Sequence, residues 1–346
     1  MRCLDCAVIG VGNMGAHHAR VLAELPGARL AAVCDADLER GAEVAARYGC
    51  AFYGDYRAML SSVPLDVVTV AVPTRLHVEV ACEAVRRGLH VLLEKPLAGD
   101  EAGAREVVRC ARSNGVKLMA GHIERFNPAV TRLKGLLEEG RFGELISLNV
   151  RRVGGLPPQV EGADVLLDLA IHDVDVVSYL LDEDPGYWVA FKSRGLLREQ
   201  DDNASILMRY GNVTVFIEVN WVTPVKIRTL DITGSLCFGR LDYINQRITL
   251  YENAYFKGLH AHRNGGGGHF PDFRDFMSKS NLTDEIIVGI DREEPLRREL
   301  SSFLRAVRED EDPPLPGEEA LRSMEILFGL SASAEAWKNQ EVRQHV

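Results

Sequence analysis

At 346 residues the chain is longer than the roughly 250 to 300 at which a single core stops growing. With 46% hydrophobic and 26% charged residues it is composed like an ordinary globular protein of two domains. The net charge of -10 opposes nucleic-acid binding; with no run near the roughly 20 apolar residues of a membrane span and no secretory leader pattern, a soluble cytoplasmic protein is expected.

From Cys3 to about His122, short β-branched runs alternate with helical patterns, the signature of successive βαβ units. Strands are expected at Cys6–Gly10, Leu30–Asp35, Val67–Pro73, His90–Glu94 and Val116–Gly121. Each is apolar nearly throughout, as strands covered on both faces must be. Helices fill the gaps at about Asn13–Leu25, Asp37–Tyr48, Arg75–Arg87 and Asp100–Asn114, which gives a doubly wound parallel sheet of the Rossmann type over residues 1–122.

Gly10-Val11-Gly12-Asn13-Met14-Gly15 follows the first strand directly and opens a helix. In that context the first glycine allows a tight turn, the second lets a pyrophosphate reach the backbone, and the third lets helix and strand pack closely. The free N–H groups and positive dipole end of the new helix favour the phosphates. Asp35 lies 20 residues beyond Gly15, where a carboxylate accepts bonds from the adenosine ribose; this favours NAD over NADP, although Arg40 is close in sequence.

The fourth strand ends in Glu94-Lys95-Pro96, at the edge that faces the ligand crevice of such sheets. The Lys95 ammonium could donate to a substrate hydroxyl and favour a developing alkoxide; a surface lysine paired with Glu94 fits the spacing equally well. Seven cysteines sit mostly in apolar runs, and the C-x-x-C of Cys3 and Cys6 has no second pair to complete a zinc site, so reduced structural thiols and no metal are expected.

After a helix from about Pro128 to Glu139, longer alternating strands follow one another with few helices between them. They fall at Leu145–Val153, Trp188–Arg194, Ala204–Tyr210, Val213–Trp221, Arg228–Thr233, Phe238–Tyr243 and Arg247–Glu252. Residues 123–346 therefore read as an α+β domain with a large, mostly antiparallel open-faced sheet. One face of that sheet is left either wet or available for a partner subunit, and a homo-oligomer is expected. The glycines at 265 to 268 read as a loop, and terminal helices follow at about Leu296–Glu309 and Gly317–Asn339, the last able to pack back on the first domain.

Between the first two strands of this domain, Ala163–Leu181 reads as one buried helix. At 100° per residue, Asp168, His172, Asp175 and Tyr179 form a narrow polar stripe on it. His172 could accept a hydroxyl proton, with Asp168 orienting the imidazole; a structural His–Asp pair is the bland alternative. Asp173 falls on the apolar side and needs a donor that the pattern does not name.

Taken together, Gly10 to Gly15, the stretch Val72-Pro73-Thr74 to His77, Glu94-Lys95-Pro96 and the Asp168 to His172 spacing after Gly162 resemble the Gfo/Idh/MocA oxidoreductases, nearly end to end. The resemblance implies that Lys95 and His172 are catalytic with Asp168 beside them, and that Pro73, Thr74, His77 and Glu94 belong to the cofactor site. It also implies a homodimer or homotetramer built through the C-terminal sheet. A narrower likeness runs from Gly121 through His122 and Arg125 to Pro128, and from Asn220 through Trp221 and Lys226 to Arg228. It is to the branch of that family that oxidises C3 of UDP-N-acetylglucosamine.

That likeness implies His122, Arg125, Trp221, Lys226 and Arg228 as substrate contacts. The three cations would gather charge around a diphosphate, and Trp221 either stacks on uracil or belongs to the core. The uronate of the same nucleotide sugar, an inositol or a free sugar are alternative substrates. A sensor that binds NAD without chemistry is the alternative of a different class.

Overall fold

The computed structural model describes residues 2–156, 164–197, 200–252 and 285–344, with side chains described as far as residue 338. Two compact units make up the chain: Met1–Phe126 with Glu293–Ser331, and Asn127–Arg292 with Ala332–Val346.

The first unit is built on six strands, β1 (Leu4–Ile9), β2 (Ala28–Cys34), β3 (Ala51–Tyr53), β4 (Val67–Val70), β5 (His90–Glu94) and β6 (Leu118–Gly121). All pair in parallel in the order β3-β2-β1-β4-β5-β6. Every residue of β4 is buried, which explains its unbroken apolar run. Helices α1 (Asn13–Glu24), α2 (Leu38–Tyr48), α3 (Tyr56–Ser62), α4 (His77–Arg86) and α5 (Glu101–Ser113) connect the strands. The order reverses between β1 and β4, so the carboxyl ends of these two strands flank the topological switch point where such sheets take ligands.

Local chemistry sets the boundaries. The side chain of Asp37 accepts a bond from Arg40 N at the start of α2, and Gly49 ends that helix at φ 66°. β4 stops at Val70 rather than at Pro73, whose nitrogen has no proton to give a ladder. The edge strand β3 and the helix α3 are additions to the expected list. At three and seven residues they are too short to show a period.

The second unit opens with α6 (Pro128–Glu138) and carries β7 (Leu145–Gly155), α7 (Ile171–Leu181), β8 (Tyr187–Ser193), β9 (Asn203–Tyr210), β10 (Val213–Asn220), β11 (Val222–Gly234), β12 (Cys237–Asp242), β13 (Arg247–Glu252) and β14 (Glu285–Val288). The order is β14-β13-β12-β11-β7-β10-β9-β8. β7 and β10 run parallel and every other neighbouring pair is antiparallel.

Burial alternates along β9 and β10, so one face packs inward while the other shows Phe216 and, in the same cross-strand row, Ile287. The fourteenth strand was not in the expected list. Helices α8 (Pro295–Glu309) and α9 (Gly317–Gln344) close the chain. The glycines at 265 to 268 lie outside the described residues, as does Gly162.

Candidate active site

The turn from β1 into α1 shows why its glycines are needed. Gly10 has φ 84°, and a Cβ there would stand 2.7 Å from Ala71 O. A Cβ on Gly15 would stand 1.8 Å from Gly10 O, so helix and turn touch backbone to backbone. Gly12 differs: the nearest atom to its added Cβ is Arg40 Nη1 at 3.6 Å. Two glycines thus serve packing and one keeps open the space that a pyrophosphate would occupy. No side chain caps α1 and its first turn carries no acid, so its dipole and N–H groups favour an anion. Asn13 and Met14, in that first turn, are exposed.

Asp35 follows β2 directly. Its Oδ2 accepts from Val11 N at 2.7 Å and its Oδ1 from Asp37 N at 2.8 Å, which fixes the carboxylate against the glycine turn. Arg40 pairs with Asp37. The residues present therefore fit a dinucleotide: an open backbone cradle, an uncapped helix and a carboxylate anchored beside them.

Lys95 follows β5, half-buried, and its peptide bond to Pro96 is cis. Glu94 is buried, with Oε1 2.9 Å from His18 Nε2 and Oε2 accepting Lys95 N–H at 3.2 Å. Burial opposes the charge on Glu94, but His18, Lys95 and the Lys95 amide together hold its pKa below the ordinary value.

Pro73 is exposed and Thr74 half-buried at the start of the turn into α4. His77 is only 1% exposed, and its two ring nitrogens lie 2.7 Å from Pro96 O and 2.9 Å from Val72 O. Burial lowers its pKa, against the pull of the two carbonyls. His77 thus contacts backbone on either side of the crevice edge rather than the solvent within it.

Beyond β6, His122 is buried. Arg125 is buried as well and pairs with Glu319 of α9, so part of the charge expected for a diphosphate is met inside this unit.

In the second unit, Asp168 and His172 are half-buried. The straight helix expected through Ala163–Leu181 is corrected here: Leu166–Ala170 forms a π-helical turn ahead of α7. Asp168 therefore sits on a wider turn than a 100° wheel assumes, while His172 lies in the first turn of the regular helix α7. Asp164 starts this segment, its Oδ1 accepting from Leu166 N at 3.1 Å and Leu167 N at 3.0 Å and its Oδ2 taking Lys192 Nζ at 3.1 Å. Lys192 also meets Glu335 at 3.1 Å, and Asp201 pairs with Lys338 at 2.8 Å. Although burial opposes its charge, the Asp164 and Glu335 carboxylates raise the Lys192 pKa.

Asp173 finds its donor in Arg152 of β7. The guanidinium also lies 5.2 Å from the Tyr243 ring centroid, and Asn127 Nδ2 donates to Tyr243 O at 3.1 Å. Tyr179, the last member of the stripe, lies under Lys134, 5.6 Å from Nζ to ring centroid.

Trp221 is 3% exposed, and its indole N–H has no hydrogen-bond partner among the described residues. Its backbone N donates to Asp202 O at 2.9 Å, while Val165 N donates to Asp201 O at 3.3 Å. Consecutive residues thus hold Trp221 and the start of the Asp168 turn at one end of the sheet. Between Val222, opposite Gly155, and Ile227, opposite Val153, β11 bulges outward and exposes Lys226; Arg228 re-enters the ladder half-buried.

Sequence reasoning missed His18, Arg152, Lys192, Asp201 and Asp202. The pair His17-His18 just past Gly15 was the visible sign of the first. The others are charges in strand or loop patterns whose partners are remote in sequence.

The family model for the NAD-binding Rossmann-fold oxidoreductase family matches residues 4–122, and that for the GFO/IDH/MocA C-terminal domain matches residues 130–236. The chain belongs to the Gfo/Idh/MocA oxidoreductase family. It is accordingly an NAD-dependent dehydrogenase.

Among its relatives, UDP-N-acetylglucosamine 3-dehydrogenase of Acidithiobacillus ferrooxidans is 30% identical over 303 residues, 87% of each chain. Inositol 2-dehydrogenase 2 of Saccharopolyspora erythraea is 34% identical over 224 residues, 62% of this chain and 66% of the relative. A solved structure of the Acidithiobacillus enzyme superposes with a TM-score of 0.81 at 25% identity, covering 97% of this chain and 99% of the other. Levoglucosan dehydrogenase in complex with NADH and levoglucosan shares the fold, with a TM-score of 0.82 at 20% identity and coverage of 97% and 98%. No helix of the described residues is long and apolar enough to cross a membrane, and no group of three or more His, Cys, Asp and Glu among them could hold a metal ion.

Proposed function

We propose that this dehydrogenase oxidises the C3 hydroxyl of UDP-N-acetylglucosamine to the 3-keto sugar. The observation that carries the reading is the 30% identity to a UDP-N-acetylglucosamine 3-dehydrogenase along 87% of both chains, which spans both units. Lys226 and Arg228 support it, as two cations just beyond the turn between β10 and β11 suit a diphosphate, whereas Trp221, 3% exposed, fits the core alternative rather than a stack on uracil.

Bound NAD supplies the hydride acceptor. In this reading the open backbone at Gly12 and the start of α1 hold the pyrophosphate, and Asp35 accepts from the adenosine ribose. His172 takes the hydroxyl proton, an imidazole being suited to proton transfer near neutral pH, and Asp168 steadies the charge that results. Lys95 donates to the same oxygen and offsets its negative charge as the C–H bond breaks.

Copies of the chain associate through the outer face of the eight-stranded sheet, where Phe216 is 46% and Ile287 61% exposed.

An inositol is the second reading, favoured by the inositol 2-dehydrogenase of Saccharopolyspora erythraea among the relatives. NADH formation measured with UDP-N-acetylglucosamine, its uronate and myo-inositol decides between them. Turnover of the first alone supports the proposal. Turnover of myo-inositol alone replaces the substrate, and NAD binding without turnover of any of the three favours the sensor.

A further inference from the structure

Two buried histidines stand on either side of Lys95. On one side α1, which opens at the glycine turn, carries His18, fully buried, with Nε2 2.9 Å from Glu94 Oε1. The other oxygen of Glu94 accepts the backbone N–H of Lys95 at 3.2 Å. β6 leaves no freedom behind this carboxylate: a Cβ on Gly121 would come within 3.1 Å of Glu94 Cδ.

On the other side His77, at the start of α4, lies 2.7 Å from Pro96 O and 2.9 Å from Val72 O. Val72 leads into Pro73 and Thr74. The result is a continuous chain of contacts, from α1 through His18, Glu94, Lys95, Pro96 and His77 to the Val72 turn.

We propose that His18 and His77 are positioning residues that lock the Lys95 turn to the two turns facing the dinucleotide, so that NAD binding is transmitted to the Lys95 ammonium. The proposal rests on the reading that Lys95 acts beside the cofactor. Neither ring needs to touch NAD. The His18–Glu94 and His77–Pro96 contacts are buried and the other two partly so, where hydrogen bonds are strong and an alternative partner is costly to find, so the chain holds one geometry.

The test is an NMR measurement on the intact protein. Its lysines are reductively methylated with 13C, and the Lys95 signal is assigned by its loss in Lys95→Met. NAD moves this signal in the wild type. In His18→Leu and His77→Leu the displacement at saturating NAD falls by more than half, although the glycine turn keeps NAD affinity within about fivefold. His18→Gln, whose amide can still donate to Glu94, keeps most of the displacement.

In the Leu variants kcat with the sugar substrate falls about tenfold while KM for NAD moves little, as expected for a misplaced catalytic group. Should a Leu variant not fold, Glu94→Gln weakens the same link with almost no change in packing. A full wild-type displacement in the folded variants overturns the proposal. A wild-type signal that NAD leaves unmoved removes instead the reading of Lys95 beside the cofactor, and the positioning role of His18 and His77 falls with it.

Discussion

Arg152 and Asp173 form a salt bridge with side chains 2% and 0% exposed, Nε lying 2.9 Å from Oδ2 and Nη2 2.9 Å from Oδ1. One partner is on the central strand β7 and the other follows His172 directly, so the pair pins the start of α7 to the sheet. Removing one member leaves the other charged and buried, which costs about 3–5 kcal/mol. Arg152→Met therefore lowers the melting temperature sharply. Arg152→Met combined with Asp173→Leu recovers much of that loss, as differential scanning calorimetry of the three proteins will show.

Gly12 and Gly15 separate binding from folding. A Cβ at Gly12 meets only the flexible end of Arg40, whereas one at Gly15 meets Gly10 O at 1.8 Å. Gly12→Ala keeps stability to within about 0.5 kcal/mol while NAD affinity falls by about tenfold or more, because the new methyl stands where the pyrophosphate approaches. Gly15→Ala loses both. Thermal melts alongside NAD titrations distinguish the two patterns.

Asp35 is held by Val11 N and Asp37 N, and in the proposed reading its carboxylate accepts from the adenosine ribose. Charge-assisted bonds of this kind are worth about 1.5–3 kcal/mol, so Asp35→Asn lowers the NAD to NADP preference by about tenfold or more. The ratio of kcat/KM for the two cofactors measures it.

Asp202 shows its sign through pH. Burial opposes its charge, but the amides of Leu197, Gly195 and Leu196 hold its pKa below the ordinary aspartate value. The unfolded chain therefore binds this proton at higher pH than the folded one does. The carboxylate's contribution is complete above about pH 4 and is lost as pH falls from there through the lowered folded value. Asp202→Asn melts lower than wild type at pH 7, and the gap narrows towards pH 3.

Much of the first unit was legible from its pattern. β1, β2, β4, β5 and β6 are buried apolar runs, and the glycine spacing states its own geometry. The sites themselves were less legible where they depend on pairings remote in sequence. No local pattern shows that Arg152 reaches Asp173, that Arg125 is met by Glu319, or that His18 meets Glu94 across 76 positions. The π-helical turn was hidden for another reason. A wheel assumes one pitch, and the wider turn at Leu166–Ala170, which begins where Asp164 accepts from Leu166 N and Leu167 N, leaves no mark in residue type.

The proposed reaction passes a hydride from C3 of UDP-N-acetylglucosamine to NAD. It is tested most directly with substrate deuterated at that carbon, incubated with enzyme and NAD and followed by NMR of the reduced cofactor. One deuterium is expected at C4 of the nicotinamide for every 3-keto sugar formed, with the transfer reduced by about 10²–10⁴ in Lys95→Met and His172→Asn. Reduced cofactor without deuterium, or none formed while NAD is bound, would contradict it.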